Sequence, residues 1–259
     1  MELEITFENN SVSKIPIDYQ YYLSSWLYQV LSKGDENYAK FLHDTGYKTN
    51  INNKVFKLFC FSNLHLTDFK IADNNFVIRG NQLCFNARFC VENALETFIQ
   101  GLFTGERLQI KNGFNSMAQF PVIRVESKNI PQVTTTTKIK LMSPMVVAHK
   151  QNNGNDLYLS PEDGDFEQYF FTNLLDKYIA AGHNLKPEWA NTKQAVTLIK
   201  PERMRSKLIK VGGEGNQTKV KGYLCELEVT APAELIEIGL LAGFGKENAM
   251  GFGYGEVVK

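Results

Sequence analysis

The chain has 259 residues, is 43% hydrophobic, and balances 28 Lys or Arg against 28 Asp or Glu. That length and apolar content suit one large or two smaller cored domains, which excludes a disordered chain, and zero net charge excludes a uniformly basic nucleic-acid binder. No apolar run approaches the roughly eighteen residues needed to span a bilayer, and MELEITFENN alternates like a strand rather than a signal peptide, so a soluble, cytoplasmic protein is expected.

Glu2 to Glu8 reads as the first strand. A helix follows from Ile17-Asp18 through Ser32, with Asp18 as its N-cap and Leu23, Trp26, Leu27, Val30 and Leu31 as the core stripe. Tyr21, Ser24, Ser25, Tyr28 and Ser32 form a polar, aromatic flank, which lets Tyr28 bring its hydroxyl to the edge of the core. A short helix from Asp35 to about His43 stops at Thr45-Gly46. Val55 to Ser62 reads as one strand, and its single charge, Lys57, must face solvent, a groove or an anion. Phe76–Arg79 and Gln82–Phe89 are expected to form a hairpin across Gly80-Asn81, Cys90–Phe103 a helix, and Leu108–Lys111 a second hairpin over Asn112-Gly113 ending in Val122–Val125. The order β, α, β, β, α, β is the ferredoxin-like unit.

Four consecutive threonines after Pro131 mark the crossing between halves, giving domains 1–130 and 131–259. In the second half a strand from Lys138 to Val147 breaks at Ser143-Pro144, and Asp165 caps a helix through Ala181. Gln194–Lys200 and Val220–Thr230 are strands, Ala233–Ala242 a helix, and Phe252–Val258 the last strand. The expected fold is therefore α+β, with two tandem ferredoxin-like (βαββαβ, RRM-like) domains.

Gly239 to Gly255 holds six glycines. Gly243, Gly245, Gly251 and Gly253, with Lys246 beside them, form either a loop that brings its backbone amides to an anion or a helix C-cap followed by a tight turn. A dinucleotide loop would follow a strand and open a helix; this one follows a helix and opens a strand, so a nicotinamide site is excluded.

Charge is segregated along the chain. Residues 107–150 carry seven bases against Glu126, residues 193–221 eight bases against Glu202 and Glu214, and residues 151–192 seven acids against Lys177 and Lys186. Such segregation can place a basic groove on one face of a neutral protein or simply mark solvated faces; for the groove, Lys200, Arg203, Arg205, Lys207 and Lys210 beside Gly212-Gly213 are the candidate phosphate ligands. His43 stands accessible at a helix end, whereas His65, His149 and His183 read as surface residues. No two histidines have metal-ligand spacing, and Cys60, Cys84, Cys90 and Cys225 form no C-x-x-C pair, so neither a metal, a disulfide nor a cofactor is expected.

The segments Gln20-Tyr-Tyr-Leu…Leu27-Tyr28, Phe41-Leu-His43, Phe56-Lys-Leu-Phe…Phe61-Ser62, Met142-Ser-Pro-Met145, Lys200-Pro201 and Gly243 to Gly253 together resemble the CRISPR-associated endoribonucleases that cut repeat RNA, the sixth Cas family of the repeat-associated RNA-binding superfamily. The resemblance covers almost the whole chain, and the glycine loop is its most specific part. It implies two ferredoxin-like domains, and a catalytic tyrosine, histidine and lysine at positions that look like Tyr28, His43 and Lys57. Thr45 to Asn53 is an insertion relative to the family's shortest versions, and it bears on whether Lys57 reaches the site. The implied reaction is metal-independent cleavage by the RNA's own 2′-hydroxyl, giving 2′,3′-cyclic phosphate and 5′-hydroxyl ends. CRISPR repeat RNA is the implied partner, with other Cas effector subunits and a second copy of the chain as further candidates. The alternative is a non-catalytic subunit that holds CRISPR RNA in an effector complex.

Overall fold

A computed structural model describes residues 1–52, 54–111, 117–212 and 217–258. Glu2–Glu8 is the centre of the first sheet, antiparallel to Gln82–Phe89 on one side and to Met117–Lys128 on the other, with Ile5 opposite both Phe85 and Val125. Phe59–Phe61 joins the outer side of Gln82–Phe89, and Arg107–Lys111 extends the other edge. Alternation sends Leu3, Ile5 and Phe7 to one face, where they meet the predicted stripe of the Gln20–Gly34 helix and residues of the Glu92–Leu102 helix. Trp26 lies at the middle, edge-on to Phe7, Phe85 and Phe98 at 5.3, 6.0 and 6.0 Å. The two helices touch backbone to backbone. A Cβ on Gly101 would fall 1.9 Å from Val30 O, and one on Gly34 2.0 Å from Thr97 O.

The second sheet repeats the order. Thr136–Leu141 lies between Glu226–Thr230 and Gly255–Val257, with Ala195–Ile199 outermost. Phe166–Ala180 and Ala233–Ala242 supply its helices. In both sheets the core strands run second, third, first, fourth in chain order, so the tandem ferredoxin-like expectation holds.

A buried polar cluster ties the halves together. Arg88, from the first sheet, donates to Glu2 Oε2 at 2.5 Å and to Gly255 O at 2.6 Å, and it lies 4.2 Å over the ring of Tyr254. The Tyr254 hydroxyl donates to the same Glu2 oxygen at 2.9 Å. Each charge is thus paired where water is excluded, which is the condition for burying it.

Several local expectations are corrected. The Val55 to Ser62 strand is broken: Val55–Phe56 pairs with Tyr47–Lys48, Phe59–Phe61 pairs with Gln82–Phe89, and Leu58 between them has φ +54°. No hairpin forms across Gly80-Asn81, because Gly80 N–H donates to Asp68 O and Asn81 O accepts from Asn9, fixing this stretch as a crossing between two sheets. The hairpin lies earlier, joining Phe69–Ala72 to Asn75–Ile78 through Asp73 and Asn74, both at positive φ as a type I′ turn requires. Asp18 does not cap the first helix, which begins at Gln20 after Tyr19 without a side-chain cap; Asp165 stands at an N-cap position but makes no cap bond. Val220–Thr230 is two strands bending at Cys225, one in the sheet and the other, Thr218–Leu224, paired with Arg205–Val211. Asn112-Gly113 and Gly213 lie outside the described residues, although the strands flanking Asn112-Gly113 do pair, Lys111 opposite Met117.

Candidate active site

Tyr28, His43 and Lys57 come together on one wall of a cleft of about 700 Å³ between the halves. Tyr28 rises from the polar flank of its helix, its ring edge-on to Phe59 at 5.7 Å. His43 lies in a π-helical turn, Phe41–Thr45, whose extra residue per turn is a feature found at functional sites. Its side chain is 70% exposed, and its Nδ1 bonds Asp44 Oδ1 at 2.8 Å. Because the carboxylate accepts, the proton is on Nδ1, and Nε2 is left for a substrate. The Tyr28 and His43 rings are 5.5 Å apart.

Gly46 brings Lys57 to this pair. The residue ends the π turn at φ +63°, and a Cβ there would fall 2.7 Å from Phe56 O, so only glycine lets the turn lie against the Lys57 segment. Lys57 Nζ then donates to His43 O at 2.6 Å, keeping two further protons available. The insertion does not displace it. Tyr47–Lys48 folds back on Val55–Phe56, and Asn52 and Lys54 bond the buried Asp176 of the second half at 2.8 and 2.6 Å. Burial pushes the Tyr28 hydroxyl well above its ordinary value, so it stays protonated. Burial also lowers Lys57, against the pull of Asp44.

The facing wall carries the glycine loop, which is built differently from the expectation. Gly243, Gly245, Gly251 and Gly253 are all buried, and the Gly251 and Gly253 amides donate to Asn248 O and Pro144 O. Those amides are spent inside the protein. The glycines serve close packing instead: a Cβ on Gly245 would lie 2.2 Å from Val146 O, and one on Gly253 1.9 Å from Phe244 O. At the centre of the loop is Lys177, 2% exposed, donating to Gly243 O, Gly245 O and Asn248 Oδ1 at 2.5, 2.7 and 2.7 Å. Three protons meet three acceptors. Lys177 stands in an acidic stretch of sequence, and only its place in the inward i, i+3, i+4 pattern with Phe170 and Leu174 signals burial. His149, read as a surface residue, lines the cleft and stacks on Tyr169.

The basic segment is less unified than its spacing suggests. Lys200 pairs with Glu226 at 2.7 Å, Arg205 donates to the carbonyls of Glu202 and Met204, and Arg203 and Lys207 are exposed. Lys210 lines a separate groove with Asp18 and Tyr21. Of the ten residues expected to hold a phosphate backbone, Gly245 and Lys246 line the cleft, with Lys246 3.1 Å from Asp156.

Comparison with known proteins covers both halves. Residues 14–118 match the family model described as CRISPR-associated protein Cas6, N-terminal, and residues 126–257 that described as CRISPR associated protein Cas6, C-terminal. A Methanocaldococcus jannaschii protein named CRISPR-associated endoribonuclease Cas6 1 is 27% identical over 256 residues, 98% of this chain and 91% of its own. The CRISPR-associated endoribonuclease Cas6 of Pyrococcus furiosus is 24% identical over 242 residues, 93% and 82% of the two chains. A solved structure named CRISPR associated protein Cas6 shares the fold at TM-score 0.78 and 24% identity, over 100% of this chain and 99% of that one.

Proposed function

The chain belongs to the Cas6 family and is a CRISPR-associated endoribonuclease that matures CRISPR RNA by cutting the repeat, and from that premise we propose that Tyr28, His43 and Lys57 make the cut without a metal. The observation that carries this reading is their meeting in one cleft, with Lys57 bonded to the His43 carbonyl and the Tyr28 ring beside the imidazole. His43 Nε2 takes the proton of the 2′-hydroxyl, whose oxygen attacks the adjacent phosphorus. Lys57 stabilises the charge on the phosphorane oxygens. Tyr28, kept protonated by burial, donates to the departing 5′-oxygen. The P–O5′ bond breaks, leaving a 2′,3′-cyclic phosphate and a 5′-hydroxyl.

Repeat phosphates outside the cleft would be held by the exposed Arg203, Lys207 and Lys210, and the protein would act in the cytoplasm. We also place the division between domains at 130/131, where residues 129–134 belong to neither sheet.

The test is incubation with the host's repeat RNA in EDTA. One discrete cut with a cyclic phosphate end is expected, and none when the nucleotide at the cut carries a 2′-deoxy sugar. Cleavage abolished by EDTA, or persisting on the deoxy substrate, would overturn the mechanism. Tight binding with no cleavage in any buffer would point to the alternative role, holding CRISPR RNA without cutting it.

A further inference from the structure

The wall opposite His43 holds four side chains that the cleavage chemistry does not use. His149, on the Val147–Lys150 strand, and Tyr169, on the Phe166–Ala180 helix, lie ring on ring, 4.7 Å apart and within 13° of parallel. Both are half-buried and both line the cleft. One turn along the helix, four residues after Tyr169, Asn173 shares the same face and also lines the cleft. Its Oδ1 is buried and accepts no hydrogen bond among the described residues. Neighbouring Thr172 is already committed, its hydroxyl donating to Gln168 O at 2.7 Å.

A buried acceptor without a donor is costly, and native proteins leave few of them. A flat donor lying on the stacked rings could meet this acceptor as well. Nucleobases have a π-face that stacks on aromatic side chains and an edge that carries N–H groups. The cleft volume, about 700 Å³, falls within the range of small-ligand pockets, so it has room for a nucleotide, and His43, His149, Tyr169 and Asn173 all line it.

We propose that His149, Tyr169 and Asn173 form a nucleobase pocket, in which a base flanking the scissile phosphate stacks on the His149–Tyr169 pair and donates an N–H to Asn173 Oδ1. The proposal rests on the endoribonuclease reading above and adds to it a determinant of where the repeat is cut. Phosphate contacts carry no sequence information, whereas a stacked and hydrogen-bonded base fixes the register of the chain across His43.

The experiment uses the full-length protein and the host's repeat RNA with 2-aminopurine replacing, in turn, the nucleotide on either side of the cut, and a 2′-deoxy sugar at the cut to block turnover. At one of the two positions, binding should quench the fluorescence several-fold. Tyr169→Ala and His149→Ala should restore most of it and weaken binding about tenfold, the scale of losing one base stack. Tyr169→Phe should keep the quench, which separates stacking from a folding defect. Asn173→Leu should raise KM on unmodified repeat with kcat little changed. If the RNA binds and its unmodified form is cut, yet neither position is quenched or the alanine variants quench like wild type, the pocket is overturned while the endoribonuclease reading stands. If the RNA is neither bound nor cut, the reading itself fails and the pocket with it.

Discussion

Two lysines with opposite histories decide what single residues do here. Lys57 is half-buried beside His43, and its ammonium is lowered by desolvation. In the proposed mechanism it acts only while protonated, so activity should be lost as pH rises through a value below the ordinary lysine range. Lys57→Arg should move that alkaline limb upward, because guanidinium keeps its proton; single-turnover rates from pH 6 to 10 would show it. Lys177 is driven down from 10.5 to about 7 by full burial. Between those pH values the unfolded chain holds a proton that the folded chain has released, so stability rises with pH across the window, and the cost of the buried charge is fully present below pH 7. Lys177→Met leaves three buried acceptors unpaired and should lose roughly 3 kcal/mol at pH 7. The wild type's advantage in urea unfolding should then widen at pH 9.5, and a gap independent of pH would remove the titration from the account. His43→Ala should slow cleavage by about 10²-fold with little change in repeat affinity, read from single-turnover and binding assays.

Among the elements, the turn Phe41–Thr45 with Gly46 has the sharpest requirement. Gly46 combines φ +63° with ψ −172°, a region open almost only to glycine, and its missing Cβ is where the Phe56 carbonyl approaches. Gly46→Ala should cost about 2 kcal/mol and part Lys57 from the His43 carbonyl, so both the urea midpoint and the cleavage rate should fall. Gly164→Ala is the control. A Cβ there meets nothing within 4 Å, and the midpoint should move by less than about 0.5 kcal/mol. Equal effects from the two would mean that the turn does not depend on Gly46.

At the scale of the whole molecule, the cleft exists because the halves are held in one orientation. Arg88, Glu2, Tyr254 and the Gly255 carbonyl form one buried contact that does so, alongside Asn52 and Lys54 on Asp176. Arg88→Ala leaves the Glu2 carboxylate buried without its cation and should destabilise by about 3–5 kcal/mol, in equilibrium urea unfolding. Substituting Glu2→Gln and Arg88→Met together removes both charges and should recover part of that loss. If the double variant were no more stable than Arg88→Ala, the stranded charge would not be the cause.

Periodicity and glycine placement by themselves determined the two ferredoxin-like halves: the Leu23–Leu31 stripe, the Glu2–Glu8 alternation and the Ala233–Ala242 helix are local patterns, and the structure follows them. Tyr28, His43 and Lys57 were proposed from the family's residue pattern, and that all three line one cleft is a tertiary fact that nothing local states. Tertiary structure decided the rest. Whether a turn pair such as Gly80-Asn81 closes a hairpin depends on which sheet its flanking strands join, and the Val55 to Ser62 strand breaks because its two ends pair with partners in different sheets. Lys177 looks like a solvated charge until three acceptors from a loop about seventy residues later surround it. His149 looks like a surface residue until the Tyr169 helix packs beside it. Burial and long-range pairing belong to the folded whole, because the groups that supply or remove a side chain's partners are distant in the chain.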